Sequence, residues 1–475
     1  MLKQTIELAL LFLLFLPLAI TVGLGIGLLF RLHLPERWVK HMSSTYFVFN
    51  VGLILFLFII TFSYPDPLFW SYGLFKTYRI DVVLMLDRLA LLYLLFAGVL
   101  VGLVGRFAFS YLHREEGFHR FFILLHLAAF GLQIAITAGC LDLLWVGWEC
   151  LGISSVLLVT FFYERKGPVD NGLYIFFIYR LGDLALLTVG LWLHTTLKTT
   201  HFQHVLTPDN LRILLQSGSV ISVAFFLCLL LVLAAIVKAS LFPFINWLPR
   251  AMEGPTPSSA VFYGALSTHL GIFLLLRMFP LLQATPGILP LLIVLGTISV
   301  ILGTLFGQIQ TDAKNSLADA TIVQLGFMLI EIGLGWITLA QIHLFSHALL
   351  RSYQFLKVPS ALHTHHEITS LYGGAYQSPG LFFWQRLPKR LQRWLYFVAI
   401  ERALLEAFFD RILVNPLLKF SRRLNQWDEH LLQTISPTPA GSPNLPSTES
   451  PKPDLVDPAL HSLKHELLVL DAPEH

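Results

Sequence analysis

Stretches of about twenty consecutive, mostly apolar residues recur from the first residues of this chain to about residue 356, and few folds can accommodate them. The hydrocarbon core of a bilayer is about 30 Å thick and takes about 20 helical residues to cross, so each stretch is read as a membrane-spanning helix. Eleven spans are predicted, at Leu8–Phe30, Tyr46–Phe62, Val82–Val104, Phe121–Gly139, Leu143–Tyr163, Gly172–Leu193, Val220–Leu248, Ser258–Phe279, Ile288–Ile309, Leu317–Leu334 and Ile337–Leu356. Composition agrees, with 55% of the 475 residues hydrophobic and 13% charged, against about 25% charged in soluble domains. The expected class is an all-α polytopic membrane protein whose immediate partner is the lipid bilayer. No small-residue cleavage site follows the first window before Arg31, which argues against a simple signal peptide.

Several function classes are excluded at this level. The net charge is +3 with dispersed basic residues, a pattern that orients a membrane protein and does not bind nucleic acid. Cys140, Cys150 and Cys228 are scattered in apolar stretches without C-x-x-C spacing. A disulfide framework, a thiolate zinc site and an iron–sulfur cluster are therefore not expected. No cofactor motif occurs, so neither a cofactor nor catalytic chemistry of the chain's own is predicted.

Lysine and arginine set the orientation. The odd-numbered connections carry Arg31, Arg37, Lys40, Arg106, Arg114, Arg120, Arg165, Lys166, Arg250 and Lys314. The even-numbered ones and their borders carry only Lys76, Arg79, Lys198, Arg212 and Arg277. This predicts an outside N-terminus and a cytoplasmic C-terminal region, in a membrane expected to be the bacterial cytoplasmic membrane. Three parts are expected: a helical bundle over 1–357, a cytoplasmic loop with interfacial amphipathic helices over 358–435, and a disordered tail over 436–475. The amphipathic stretches are Arg390–Leu413 and Leu417–Leu432. The proline- and serine-rich tail cannot bury a core, though Leu460, Leu463, Leu467 and Leu470 form a short stripe that either docks on a partner or frays.

Charges cost a few kcal/mol or more at the bilayer centre, so those that persist face a bundle interior or a hydrated path and are functional candidates. Glu149 lies in W-E-C-L-G on the fifth span, and Arg180 and Asp183 lie three residues apart in Y-R-L-G-D on the sixth. That spacing lets them pair on one helix face, as a structural ion pair or as part of a path. The seventh span holds Lys238 ahead of Pro243 and Pro249, so a buried lysine rides on a broken helix. The eighth contains Tyr263, Ser267 and His269; the tenth is preceded by Lys314 and contains Asp319, Gln324 and Glu331. His343, His347 and Arg351 on the eleventh are each four residues from the next, on one stripe. The histidine pair has metal-ligand spacing without a partner ligand nearby in sequence, and His363, His365, His366 and Glu367 are expected in a solvated loop, so no metal site is assigned. Acid, amine and imidazole groups whose burial brings them towards neutrality are what a proton relay needs.

These motifs resemble the antiporter-like membrane subunits of respiratory complex I, especially its subunit 5, and the related large subunit of Mrp-type sodium/proton antiporters and membrane subunit of DAB-type inorganic-carbon accumulation complexes. The resemblance is carried by W-E-C-L-G, Y-R-L-G-D, the run from Lys238 to Ala260 (K-A-S-L-F-P-F-I-N-W-L-P-R-A-M-E-G-P-T-P-S-S-A), Gln310 to Met328 and Ile342 to Arg351. It implies two inverted five-helix units, a switchable ion pair between Glu149 and Lys238, and a midplane axis through Lys314, His343 and His347. Protons or sodium would be moved within a complex whose cytoplasmic partner supplies the chemistry, either a zinc carbonic anhydrase-like protein or the remainder of an NADH-quinone oxidoreductase-like assembly with its other membrane subunits. A membrane anchor that carries no flux is the rival expectation.

The chain departs from the family pattern in places. Tyr263 stands where the eighth span commonly has histidine, with His269 six residues on, and Arg351 stands where lysine is usual. An arginine is effectively always protonated and hardly relays. A twelfth broken span with its lysine is not visible, so the second inverted unit is expected to be truncated.

Overall fold

The structure, a computed structural model, describes residues 2–409 except 33, 63, 65, 76–79, 217–221 and 372–387, and parts of 411–428; over 359–371 it describes the backbone alone. All eleven predicted windows contain helix. They are α1 (Leu2–Leu29), α2 (Glu36–Thr61), α3 (Arg88–Tyr111), α4 (Phe118–Thr137), α5 (Leu141–Val159) and α6 (Lys166–Thr196), then, after the short α7 (Phe202–Val205) and α8 (Pro208–Gln216), α9 (Val223–Lys238) with the short α10 (Trp247–Arg250). Next comes a span built from α11 (Thr256–Ser258), a π-helical stretch Ser259–Leu266 and α12 (Ser267–Arg277); after α13 (Phe279–Ala284) the last three are α14 (Ile288–Gly307), α15 (Ala313–Gly333) and α16 (Ile337–Leu371). Among the described residues nine helices are long and apolar enough to cross a membrane by length and composition, and Val223–Lys238 is a shorter apolar one. Among the described residues these elements form the polytopic helical membrane fold expected from the sequence.

Three expectations need correction. The third window begins at Val82, but Ile80–Leu86 is a strand, β2, paired antiparallel with β1 (Leu68–Phe75). A short apolar run reads alike as strand or helix; what ends the strand is Asp87, whose side chain caps α3 by accepting from Ala90 N at 2.8 Å. The hairpin spreads into an extended layer: Gly139 N donates to Val83 O at 2.7 Å, Phe202 N to Gly139 O at 2.9 Å and Leu141 N to Thr200 O at 3.1 Å. Second, α16 continues as one helix to Leu371, through His363, His365, His366 and Glu367, so that cluster is not in a loop. Third, Arg390–Leu413 is not one helix. After α17 (Lys389–Ile400) the residues Arg402, Ala403 and Leu404 all adopt positive φ, and a short helix Leu405–Phe409 follows. The C-terminal unit Asn415–His475 is helical over 422–428, and the tail after 428 lies outside the described residues.

Close helix approach needs small residues. A Cβ on Gly147 would stand 2.4 Å from Ala135 N and from Gly131 O, so α4 and α5 meet backbone to backbone there. The span Thr256–Arg277 is wholly buried in its apolar window and therefore runs through the middle of the bundle. Its π-helical stretch widens the backbone ring, and three carbonyls there are taken by side chains: Tyr93 Oη donates to Leu266 O at 3.0 Å, Thr268 Oγ1 to Tyr263 O at 3.2 Å and Ser352 Oγ to Ala260 O at 3.0 Å.

The break after Lys238 obeys the rule that backbone groups at membrane depth must be satisfied within the protein. Trp247 Nε1 donates to Val237 O at 2.8 Å, Leu241 N to Ile236 O at 2.9 Å, and Phe242 N to Ser299 Oγ at 2.9 Å. Ser240 Oγ serves Phe244 O and Ile245 O at 3.2 and 3.1 Å. The interruption is thus a bonded loop that leaves Lys238 as the last residue of a helix inside the bundle.

Candidate functional site

α5, α6 and the end of α9 bring four charges together. Arg180 grips Glu149 with both forks, Nη1 to Oε1 at 3.0 Å and Nη2 to Oε2 at 2.8 Å, and the same Nη2 stands 2.7 Å from Asp183 Oδ2. Planar guanidinium geometry makes such a bidentate grip possible. Trp148 Nε1 donates to Asp183 Oδ1 at 2.9 Å. Lys238 is 2% exposed. Its amine donates to Trp148 O at 3.2 Å and lies 4.8 and 4.7 Å from the ring centres of Trp148 and Tyr179, a cation–π cage. A Cβ on Gly152 would sit 3.2 Å from that amine, so the glycine leaves the room the lysine occupies. The direct Glu149–Lys238 pair that the resemblance implies is replaced in this state by Glu149–Arg180.

Beyond the cage lie hydroxyl groups and then imidazoles. Tyr179 Oη is buried without a hydrogen-bond partner among the described residues, and Tyr263 Oη donates to Ser155 O at 3.1 Å and lies 3.0 Å from Ser155 Oγ. The next links have a fixed direction. Arg351 Nε, which can only donate, lies 3.4 Å from His347 Nε2, so that nitrogen accepts. The hydrogen of a neutral His347 is then on Nδ1, 3.0 Å from His269 Nε2. His269 in turn carries its hydrogen on Nδ1, 3.2 Å from Thr268 Oγ1, which donates to Tyr263 O. Arg351 therefore sets the tautomer of two histidines in series. His343 lies to one side, its ring centre 6.2 Å from that of His347, with Nδ1 2.9 Å from Glu331 Oε1 and Nε2 3.0 Å from Gln324 Oε1.

Of the residues singled out in the sequence, Glu149, Arg180, Asp183 and Lys238 form one cluster, and Tyr263, His269, His347 and Arg351 form the line beyond it. Lys314 joins neither. It sits in the first turn of α15 and donates to Met252 O and Gly254 O at 2.8 and 2.9 Å, tying the exit of the broken helix to α15. The sequence reading missed Trp148, Tyr179 and Thr268, the uncharged connectors. It also missed the partner of Asp319: this fully buried carboxylate lies 3.2 Å from Arg402 Nη2 and accepts from Gln310 Nε2 at 2.9 Å.

Comparison with known proteins gives the same family from several sides. A family model described as NADH:quinone oxidoreductase/Mrp antiporter, TM, matches residues 138–378, and one described as NADH-Ubiquinone oxidoreductase (complex I), chain 5 N-terminus, matches residues 73–122. The chloroplast NAD(P)H-quinone oxidoreductase subunit 5 of Marchantia polymorpha is 31% identical over 354 residues, which are 73% of this chain and 51% of the relative. The organellar chromatophore subunit 5 of Paulinella chromatophora is 32% identical over 300 residues, 63% of this chain and 45% of its own. The chain thus spans about half the length of the curated relatives it matches. Among solved structures, a chain of the Mrp complex from Dietzia sp. DQ12-45-1b gives a TM-score of 0.65 at 27% identity, covering 74% of this chain and 37% of that one. A chain of the membrane-bound sulfane sulfur reductase, an archaeal respiratory membrane complex, gives 0.62 at 19% identity, covering 73% and 70%, a likeness of fold alone.

Proposed function

The chain belongs to the NADH:quinone oxidoreductase/Mrp antiporter family of membrane subunits, and from that premise we propose that it moves protons, or sodium, through the membrane as one subunit of a multisubunit complex. The observation that supports this reading is the succession of polar side chains that the bundle brings together, from Glu149, Arg180, Asp183 and Lys238 through Tyr263 to His269 and His347. The four charges at its start sum to zero. If Lys238 releases its proton, the cluster is left at minus one, and a proton on Asp183 or Glu149 restores the balance. Charge can therefore pass without standing uncompensated in a low-dielectric interior. In this reading Glu149 and Lys238 are the switching pair, with Arg180 holding the carboxylates while the lysine is caged. His269, His347 and His343 carry the charge onward, and Lys314 holds the broken helix at its membrane face.

The lysine and arginine distribution supports an outside N-terminus and a cytoplasmic C-terminal region. The cytoplasmic partner we assign to that side is a protein that supplies chemistry, of the zinc carbonic anhydrase-like or the quinone-reducing kind; purification of the native complex and identification of its other chains tells them apart. The test of translocation itself is ion flux in vesicles reconstituted with that complex. Glu149→Gln and Lys238→Ala each abolish flux while the protein stays in the membrane. Wild-type flux in either variant, or none in the unmodified complex, sinks the proposal, the latter in favour of an anchor.

A further inference from the structure

Glu331 is a carboxylate within G-F-M-L-I-E-I-G-L-G, an apolar stretch that gives it nothing in sequence to pair with. It sits in the last turn of α15, its side chain 14% exposed. One oxygen meets His343, while Oε2 is buried without a protein partner among the described residues. A carboxylate kept at such a place carries a desolvation cost, which makes a bystander role a poor account of it.

The bonding of His343 differs in kind from that of His347. Its two ring nitrogens face two oxygens, Glu331 Oε1 at 2.9 Å and Gln324 Oε1 at 3.0 Å. With the Gln324 oxygen towards the ring, the imidazole donates to both when both nitrogens carry hydrogen; with the amide turned over, a neutral ring donates to Glu331 and accepts from Gln324. His347 faces a donor on one side and is held neutral. Two histidines one helical turn apart thus meet different partners, a guanidinium donor beside His347 and a carboxylate beside His343. The charged and titratable groups around them are Glu331 on α15, His269 on α12, and His347 and Arg351 on α16.

Position along α16 gives this difference a direction. At about 1.5 Å per residue from Ile337, His343 lies about 9 Å from the α15–α16 turn, His347 about 15 Å, near the middle of a core of about 30 Å, and Arg351 about 21 Å. Beyond His347 one way stands a fixed positive charge, and the other way stands a carboxylate.

We propose that Glu331 and His343 form the terminal proton-holding pair of the file, through which a proton at His347 passes to the membrane face bearing the α15–α16 turn. This rests on the translocation reading above. In the exchange, the His343 Nδ1–H bond breaks and an O–H bond forms on Glu331, turning an ion pair into a neutral pair. Glu331 then loses the proton to water at that face, and the vacated Nδ1 takes the next one when a turn of the ring presents it to the His347 side.

The experiment uses the full-length chain in its native complex, with 15N-labelled histidine and with His343→Asn to assign the signal. Nitrogen NMR shows His343 as imidazolium in the unmodified protein and neutral in Glu331→Gln. Proton flux in vesicles falls about tenfold or more in Glu331→Gln, while Glu331→Asp keeps most of it. A neutral His343 in the unmodified complex overturns the inference and needs no variant to fold. Full flux in Glu331→Gln, in vesicles where Glu149→Gln is dead, also overturns it and leaves translocation standing. Full flux in Glu149→Gln defeats the translocation reading instead.

Discussion

Around Lys238 charge is held in balance by ionised partners, whereas around His347 it is kept out by the direction in which hydrogen bonds run. The first region spends two carboxylates, a guanidinium and an ammonium to make a site of zero net charge. The second uses one arginine to fix two neutral imidazoles and a threonine in a single orientation. A balanced cluster can change partners with little net cost, which suits a switch. An oriented line must turn over after each proton, which suits a step that admits protons one at a time.

Substitutions that touch one region and spare the other sharpen this contrast. The largest effect is expected from Arg180→Gln, which leaves Glu149 and Asp183 facing each other without their shared cation. Unpairing a fully buried ion costs about 3–5 kcal/mol; Arg180 is about one-third exposed, so about 1–2 kcal/mol is expected after screening. Both the unfolding midpoint in detergent and the flux in vesicles should drop, and a variant unchanged in both would show that the cluster is not balanced through the guanidinium. Next comes His347→Ala, which cuts the line between Arg351 and His269 and should lower flux by about tenfold to a hundredfold. The smallest effect belongs to Arg351→Lys. Lysine also donates and is also positive, so the direction of the line persists and flux should stay within about threefold of wild type. Full flux in His347→Ala combined with loss in Arg351→Lys would make the arginine, not the imidazoles, the essential element.

The spans were legible because bilayer thickness leaves a helix little choice of length, and the break after Lys238 was legible because Pro243 cannot donate to a helix ladder. The charged site residues were legible for a similar reason: Glu149, Arg180, Asp183 and Lys238 each interrupt apolar sequence. Strand β2 was not, since Val82, Val83, Leu84, Met85 and Leu86 continue into the apolar run of α3 with only Asp87 and Arg88 between. Trp148 and Tyr179 were hidden among the many aromatic residues of the spans. That Glu149 is engaged by Arg180, and Asp319 by Arg402 some 83 residues away, depends on which helices neighbour each other, information that periodicity along one helix does not hold. The break at 402–404 was equally invisible, because none of those three residues is a glycine.

The π-helical stretch Ser259–Leu266 has a consequence best put in genetic terms. In an α-helix a deleted residue turns everything beyond it by about 100° and would carry His269 off the face it shares with His347. A π turn already holds a surplus residue, and three carbonyls in or beside it also accept from Tyr93, Thr268 and Ser352. This short stretch is therefore the part of the buried span where a lineage can lose or gain one codon, changing which of two neighbouring positions carries the tyrosine, while the histidine line beyond it keeps its phase.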